Sequence, residues 1–269
     1  MLLAALFLSQ SASAQDEPRL VLQITVDQLR GDLPTRYYDR LGEGGFRYLL
    51  ENGVVYRNAH HAHANTETIV GHTTLATGAH PAGHGMVANL WFDRETGFTT
   101  YNVEDARYPL LTVGADVDQQ TEIDPTQRAA RSDGRSPSAI LVSTFSDELR
   151  SNTNGRSKAI GVSVKDRGAI SMAGHAGTAY WFSKASGEFV TSRYYLDNYP
   201  DWVVDFNSGK PARRFANTET IVGHTTLATG AHPAGHGMVG NLWFDRETGL
   251  TTYNVEDARY PLLTVGADV

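Results

Sequence analysis

Apolar positions along this chain switch between two periods, and the switches mark a succession of strands and helices. Leu20 to Val26 (L-V-L-Q-I-T-V) is short, mostly apolar and rich in β-branched residues. That pattern predicts a strand buried on both faces of an α/β sheet, with Asp27 at its C-terminal end. From Gly44 to Asn52, Phe46, Leu49 and Leu50 fall at helical spacing, and Gly53 supplies the stop. Val54 to His63 alternates as a second strand would. Thr68 to Thr77 reads as a helix entered from Asn65 or Thr66 and ended by Gly78. Leu90 to Val103 is a hairpin turning at Arg94-Glu95-Thr96-Gly97, and Gln119 to Ser136 is a polar surface loop. Ser136-Pro137 then opens a helix with Leu141, Phe145 and Leu149 on one stripe. Lys158 to Val164 is another strand, ending at Lys165-Asp166-Arg167. Thr178 to Thr191 is a second hairpin around Ser186-Gly187. Strand and helix alternate, so the predicted class is α/β with added β-hairpins.

This order is interrupted by a repeat. Ala64 to Val117 returns as Ala216 to Val269, and only two positions differ: Ala88 against Gly240 and Phe98 against Leu250. Solenoid repeats recur every ~20–50 residues and diverge on their exposed faces. Near-identity over a unit this long, loops included, is something else: a recent duplication, an erroneous junction between two related sequences, or a deliberately joined chain. One fold has one socket for this segment, so the expectation is that 216–269 packs poorly, swaps between molecules or competes with the first copy.

Composition narrows the function classes. Hydrophobic residues make up 41% of the 269 positions, enough for a core. A net charge of −7 argues against a general nucleic-acid binder, which carries a basic face. With no cysteine, any metal must sit on oxygen and imidazole. Leu2 to Leu8 is a short apolar run followed by Ala12-Ser13-Ala14, an A-x-A cleavage pattern, so residues 1–14 read as an export signal. The run is too short to span a bilayer, which takes ~20 apolar residues. The protein is therefore expected outside the cytoplasm, periplasmic or secreted, with no membrane attachment after cleavage.

Three segments carry candidate chemistry. Asp27, just past a predicted strand, is a hard oxygen ligand placed where α/β sheets present ligands. In N-T-E-T-I-V-G-H (65–72) a threonine opens a helix, where the dipole favours an anion and an ionised hydroxyl can act as nucleophile. Thr66 and Thr68 equally suit a plain helix cap. Lys165 and Arg167, one residue apart at a strand end, could clamp the oxygens of a transferring phosphoryl group or simply face solvent in a turn.

Taken in order, V-D-Q, T-x-x-x-H, A-N-L-W-F-D and K-D-R-G-A-I with A-G-H resemble the alkaline phosphatase superfamily. The likeness is to the PafA-like, Thr-nucleophile type in the type I phosphodiesterase/nucleotide pyrophosphatase branch. It runs from about Leu20 to Asn207, and K-D-R-G-A-I is its most specific block. The resemblance implies that 15–215 is the N-terminal part of such a domain. It also implies two zinc ions ~4 Å apart, Asp27 as a metal ligand, and Thr68 as nucleophile and metal contact. Asn89, Lys165 and Arg167 would hold phosphate oxygens. The implied reaction is hydrolysis of a small phosphate monoester through a phosphothreonine; the alternatives are a phosphodiesterase or nucleotide pyrophosphatase, and a non-catalytic exported fragment. In the second copy, Thr220 and Gly240-Asn241 are the counterparts.

The sequence also departs from that family. The motif's glycine before Asn89 is Ala88. The family completes its metal sites with an Asp-x-x-x-His, an Asp-His pair and a late His. None of the ten histidines here follows an aspartate at either spacing. Two oxygen ligands hold zinc poorly, so little turnover is expected of the chain. The His60, His61 and His63 cluster and the pair His80 and His84 have metal-like spacing. Pro81 breaks any helix that would align the latter pair, so local structure is their expected role.

Overall fold

The computed structural model describes residues 18–120, 122 and 124–209, together with the backbone of 242–245 and 250–253. The export signal and nearly all of the second copy lie outside the described residues. The centre is a strand–helix–strand unit. β3 (Ile160–Ser163) runs parallel to β4 (Thr178–Ser183), with Ile160 opposite Thr178 and Ser163 opposite Trp181. Helix α7 (Asp166–Ala173) connects them and packs on both. β5 (Glu188–Val190) closes the sheet antiparallel to β4, so the strand order is β3-β4-β5. α3 (Thr68–Thr77) lies against α7. Ile69, Val70, Ile170, Ala173, Ala179, Trp181 and Val190 form the core between these layers. The α/β class expected from the sequence is the class observed.

Two glycines let the layers touch. A Cβ on Gly161 of β3 would lie 2.3 Å from Ala169 O and 2.9 Å from Ala173 N, both backbone atoms of α7. Gly161→Ala therefore has to push helix from strand. Overpacking of this kind costs about 1–3 kcal/mol, and a lowered thermal midpoint in a circular-dichroism melt is the expected result. Gly78, at φ +68, ends α3 in the left-handed conformation that favours glycine.

Several expected elements form where the pattern put them. The first hairpin is β1 (Leu90–Asp93) with β2 (Phe98–Tyr101), Leu90 facing Tyr101, and its turn is held by Asp93 accepting from Glu95 N at 2.8 Å. In the second copy, β6 (Leu242–Asp245) and β7 (Leu250–Tyr253) repeat that hairpin in the same register, Leu242 facing Tyr253. The hairpin around Ser186-Gly187 is β4–β5. Short helices α1 (Leu33–Arg36), α2 (Phe46–Asn52), α4 (Pro81–His84) and α5 (Pro125–Arg128) punctuate the connections.

Four expectations are corrected. Leu20–Val26 forms no strand, and Leu20, Leu22 and Ile24 are exposed. Among the described residues β3 pairs only with β4, so no ladder receives this segment, and Ile160 and Val162 are exposed on β3 as well. Val54–His63 likewise stays irregular, with Val54 and Tyr56 exposed. The helix expected from Ser136-Pro137 starts instead at α6 (Phe145–Asn152). There Thr144 and Asp147 make a reciprocal capping box, worth about 1 kcal/mol. Leu141, assigned to the apolar stripe, is exposed. Finally, Gln119–Ser136 is no surface loop: Gln127, Arg135 and Ser136 are buried, and the segment reaches the N-terminus of α7. Helices α7 and α8 (Asp201–Ser208) were not anticipated.

Candidate active site

Thr68 is the first residue of α3, and its Oγ1 donates to Asp27 Oδ2 at 3.4 Å. Asp27 sits in a turn whose next residue, Gln28, holds φ +58, an uncommon conformation for a non-glycine. One helical turn on, His72 Nδ1 bonds Thr68 O at 2.7 Å. Burial lowers the pKa of this imidazole, opposed by the charge of Asp27 and reinforced by that of Arg167. His72 also lies against the first turn of α7: a Cβ on Gly168 would reach its Cδ2 at 4.0 Å. His72 thus links the start of α3, where Thr68 meets Asp27, to the first turn of α7, which contains Arg167.

Asn89 docks on α3 from the start of the first hairpin. Its Oδ1 accepts from Ile69 N at 3.2 Å, and its backbone N donates to Glu67 Oε2 at 2.5 Å. The helix N-terminus is therefore capped from a distance by Asn89; Glu67 is the residue at the cap position, rather than Asn65 or Thr66.

Lys165 is the residue preceding α7, and Arg167 is its second residue. Both meet Asp124: Lys165 Nζ donates to Asp124 Oδ2, and Arg167 Nη2 donates to the same oxygen at 3.1 Å. Arg167 Nη1 donates to Thr126 Oγ1 at 2.7 Å. Asp166 between them points into the core. It accepts from Tyr101 Oη at 2.6 Å, Arg135 Nε at 2.7 Å, Gln127 Nε2 at 3.2 Å and Arg167 N at 2.7 Å. Burial opposes its ionisation, but the Arg135 charge and the Tyr101 and Arg135 hydrogen bonds carry its pKa below the usual value. Burial, with the Asp166 charge beside it, pushes the Tyr101 phenol well up.

Asp124, Thr126, Arg135 and Tyr101 were missed from the sequence. Asp124-Pro125 did carry a signal: an aspartate cap with proline at the first helical position starts α5. Nothing in the local pattern marks Arg135 as buried.

The histidines with metal-like spacing serve local structure. His84 is buried; its Nε2 bonds Thr74 Oγ1 at 3.0 Å and its Nδ1 accepts from Met86 N at 3.1 Å. His63 Nε2 reaches the same Thr74 hydroxyl, and His60 bonds Asn58. Among the described residues no group of three or more His, Cys, Asp or Glu side chains could hold a metal ion. Asp27 and Thr68 supply two oxygens where tetrahedral zinc takes four ligands. The described residues do not fit the implied zinc pair.

The sequence profile of the family described as Type I phosphodiesterase / nucleotide pyrophosphatase matches residues 21–199 and 205–266. The chain belongs to this family. Its relatives in the type I phosphodiesterase/nucleotide pyrophosphatase family include alkaline phosphatase PafA of Elizabethkingia meningoseptica, 39% identical over 78% of this chain and 36% of that protein. Alkaline phosphatase PhoV of Synechococcus elongatus is 39% identical over 74% of this chain and 34% of that protein. The likeness extends to structure: wild-type PafA superposes with a TM-score of 0.62 at 38% identity, over 71% of this chain and 35% of that one. This chain therefore spans about a third of the length of these relatives. A PafA variant of equal TM-score carries substitutions at a threonine, an asparagine, a lysine and an arginine. There the threonine and asparagine are separated by the same number of positions as Thr68 and Asn89. The lysine and arginine are separated as Lys165 and Arg167 are.

Proposed function

We propose that this chain carries the nucleophile and phosphate-binding half of a phosphate-monoester hydrolase site. The observation behind this reading is the meeting of α3 and α7. Thr68 Oγ1 donates to Asp27, His72 Nδ1 bonds Thr68 O, and the His72 ring lies against the first turn of α7, which bears Arg167. In the proposed reaction Thr68 Oγ1 bonds to phosphorus, the ester oxygen leaves with its electron pair, and the hydroxyl proton passes to Asp27. The α3 dipole and the Asn89 amide favour the phosphoryl oxygens at that helix end. Lys165 and Arg167 neutralise the remaining charge. Two cations suit the doubly charged monoester better than a singly charged diester, which favours a phosphatase over the phosphodiesterase alternative. A carboxylate is a weak base for an alcohol. With no fitting metal site among the described residues, slow phosphorylation without efficient turnover is the expected behaviour.

The test is chemical trapping. The full chain is incubated with p-nitrophenyl phosphate or bis(p-nitrophenyl) phosphate, acid-quenched, digested with trypsin and analysed by mass spectrometry. Cleavage after Arg57 and after Arg214 gives different peptides for Thr68 and Thr220, so the two copies are told apart. Phosphate on Thr68 from the monoester, absent in Thr68→Ala, is the expected outcome. An unlabelled Thr68 peptide alongside label elsewhere would overturn the reading. Export, resting on Leu2–Leu8 and Ala12-Ser13-Ala14, belongs to the same proposal; among the described residues no helix is long and apolar enough to cross a membrane.

A further inference from the structure

One carboxylate stands where an incoming anion would go. Asp124 Oδ2 accepts from Lys165 Nζ and from Arg167 Nη2, so a single oxygen draws the two cations together. Its other oxygen is anchored locally: Oδ1 accepts from Thr126 N at 2.9 Å and from Thr126 Oγ1 at 2.6 Å. The fork is nearly closed on itself, because Arg167 Nη1 also donates to Thr126. The fit is nonetheless incomplete. The Arg167 side chain is 4% exposed, and its Nε is buried without a hydrogen-bond partner. A buried guanidinium N–H left unpaired costs stability, and it is a donor that this carboxylate does not reach.

We propose that Asp124 is an internal competitor for the phosphate-binding fork: it pairs Lys165 with Arg167, sets phosphate affinity, and is displaced when phosphate binds. The proposal rests on the reading of Lys165 and Arg167 given above. A residue that only orients an arginine would hold its Nε edge and leave the outer nitrogens and the lysine free. Here the opposite groups are taken: both Nη atoms and the Nζ are engaged, and Nε is left over. Tetrahedral phosphate brings more oxygens than a carboxylate with one oxygen already tied to the start of α5, and its second charge is drawn to both cations. Displacement frees Asp124 Oδ2 without unfolding α5, since Oδ1 keeps its bond from Thr126 N at the helix cap.

The competitor and positioning roles predict opposite signs for one variant. Asparagine caps a helix as well as aspartate does, so Asp124→Asn keeps α5 while removing the charge. Inorganic phosphate is titrated into the full chain at fixed ionic strength, at a pH where it is a dianion, by calorimetry and by ¹H–¹⁵N NMR of the arginine Nε–H signals. Removing a negative charge adjacent to a dianion site is expected to tighten binding by about tenfold, with the Arg167 Nε–H signal moving on saturation. Unchanged or weaker binding in Asp124→Asn would overturn the competitor role. Arg167→Ala separates that failure from a failure of the underlying reading. If Arg167→Ala loses phosphate while Asp124→Asn gains nothing, only the competitor role falls. If Arg167→Ala binds as well as the unaltered chain, or no variant binds at all, the fork is not a phosphate site and both proposals fall.

Discussion

Asp166→Ala is expected to remove a large part of the chain's stability. Asp166 is 2% exposed and accepts from the side chains of Tyr101, Gln127 and Arg135 and from the backbone N of the adjacent Arg167. Its partner Arg135 is also 2% exposed and is held further by Asp116 Oδ1 at 3.2 Å. Taking away one member of a buried ion pair leaves the other charge uncompensated, which costs about 3–5 kcal/mol. Whole domains have only about 5–15 kcal/mol to lose. Chemical denaturation monitored by circular dichroism is the measurement, and a midpoint close to that of the unaltered chain would show that the network is not what joins these segments. The pair's mutual dependence can be separated from its net worth. Replacing Arg135 by Met and Asp166 by Leu together removes both charges, and buried pairs exchanged for apolar groups in this way lose far less than either single variant.

The same residue gives a pH prediction with a definite sign. The folded pKa of Asp166 lies below its unfolded value of about 3.9. The native state therefore binds that proton less readily than the unfolded state does. Its contribution is complete above the unfolded pKa and is lost as pH falls through the folded one. Asp105, Asp124 and Asp147 are lowered as well, by Arg107, by Lys165 and by His175, with burial working against the shift in each. Acid unfolding is shared among them. Asp166→Asn should flatten the acid limb of a stability–pH curve without abolishing it.

What could be read from the sequence follows from where each signal is written. The hairpin at 90–101 and helix 68–77 were legible because their determinants are local: a four-residue turn ending in Gly97, and Gly78 after an uninterrupted run. K-D-R stood out as a candidate because two cations one residue apart at a strand end are conspicuous. Yet the triad is split in the structure, with Lys165 and Arg167 facing Asp124 and Asp166 turned into the core. That division depends on Arg135, whose burial is set by tertiary packing and has no local trace. Leu20–Val26 failed for the converse reason. Its composition suits a doubly covered strand, but among the described residues it joins no ladder, and composition alone does not set pairing.

The duplicated segment turns Tyr101 into a test of whether this fold holds one socket or two interchangeable occupants. Tyr101 is fully buried, faces Leu90 across the hairpin, donates to Asp166 at 2.6 Å, and has the Arg135 guanidinium 5.4 Å from its ring. Tyr101→Ala loses a large buried aromatic, about 3–5 kcal/mol by analogy with Phe or Trp truncation. It also leaves Asp166 short of a donor. Tyr253 occupies the same position of the second copy, opposite Leu242. If the first copy alone serves the core, Tyr101→Ala collapses the thermal midpoint while Tyr253→Ala leaves it unchanged, and this asymmetry is the expected result. Were the copies free to exchange, each single variant would be rescued by the intact segment and only the double variant would unfold. The asymmetry follows from chain entropy. The first copy is joined directly to the stretch carrying Gln127 and Arg135, whereas the second would have to close a longer loop to reach the same place. Identical contacts then favour the occupant with the shorter path.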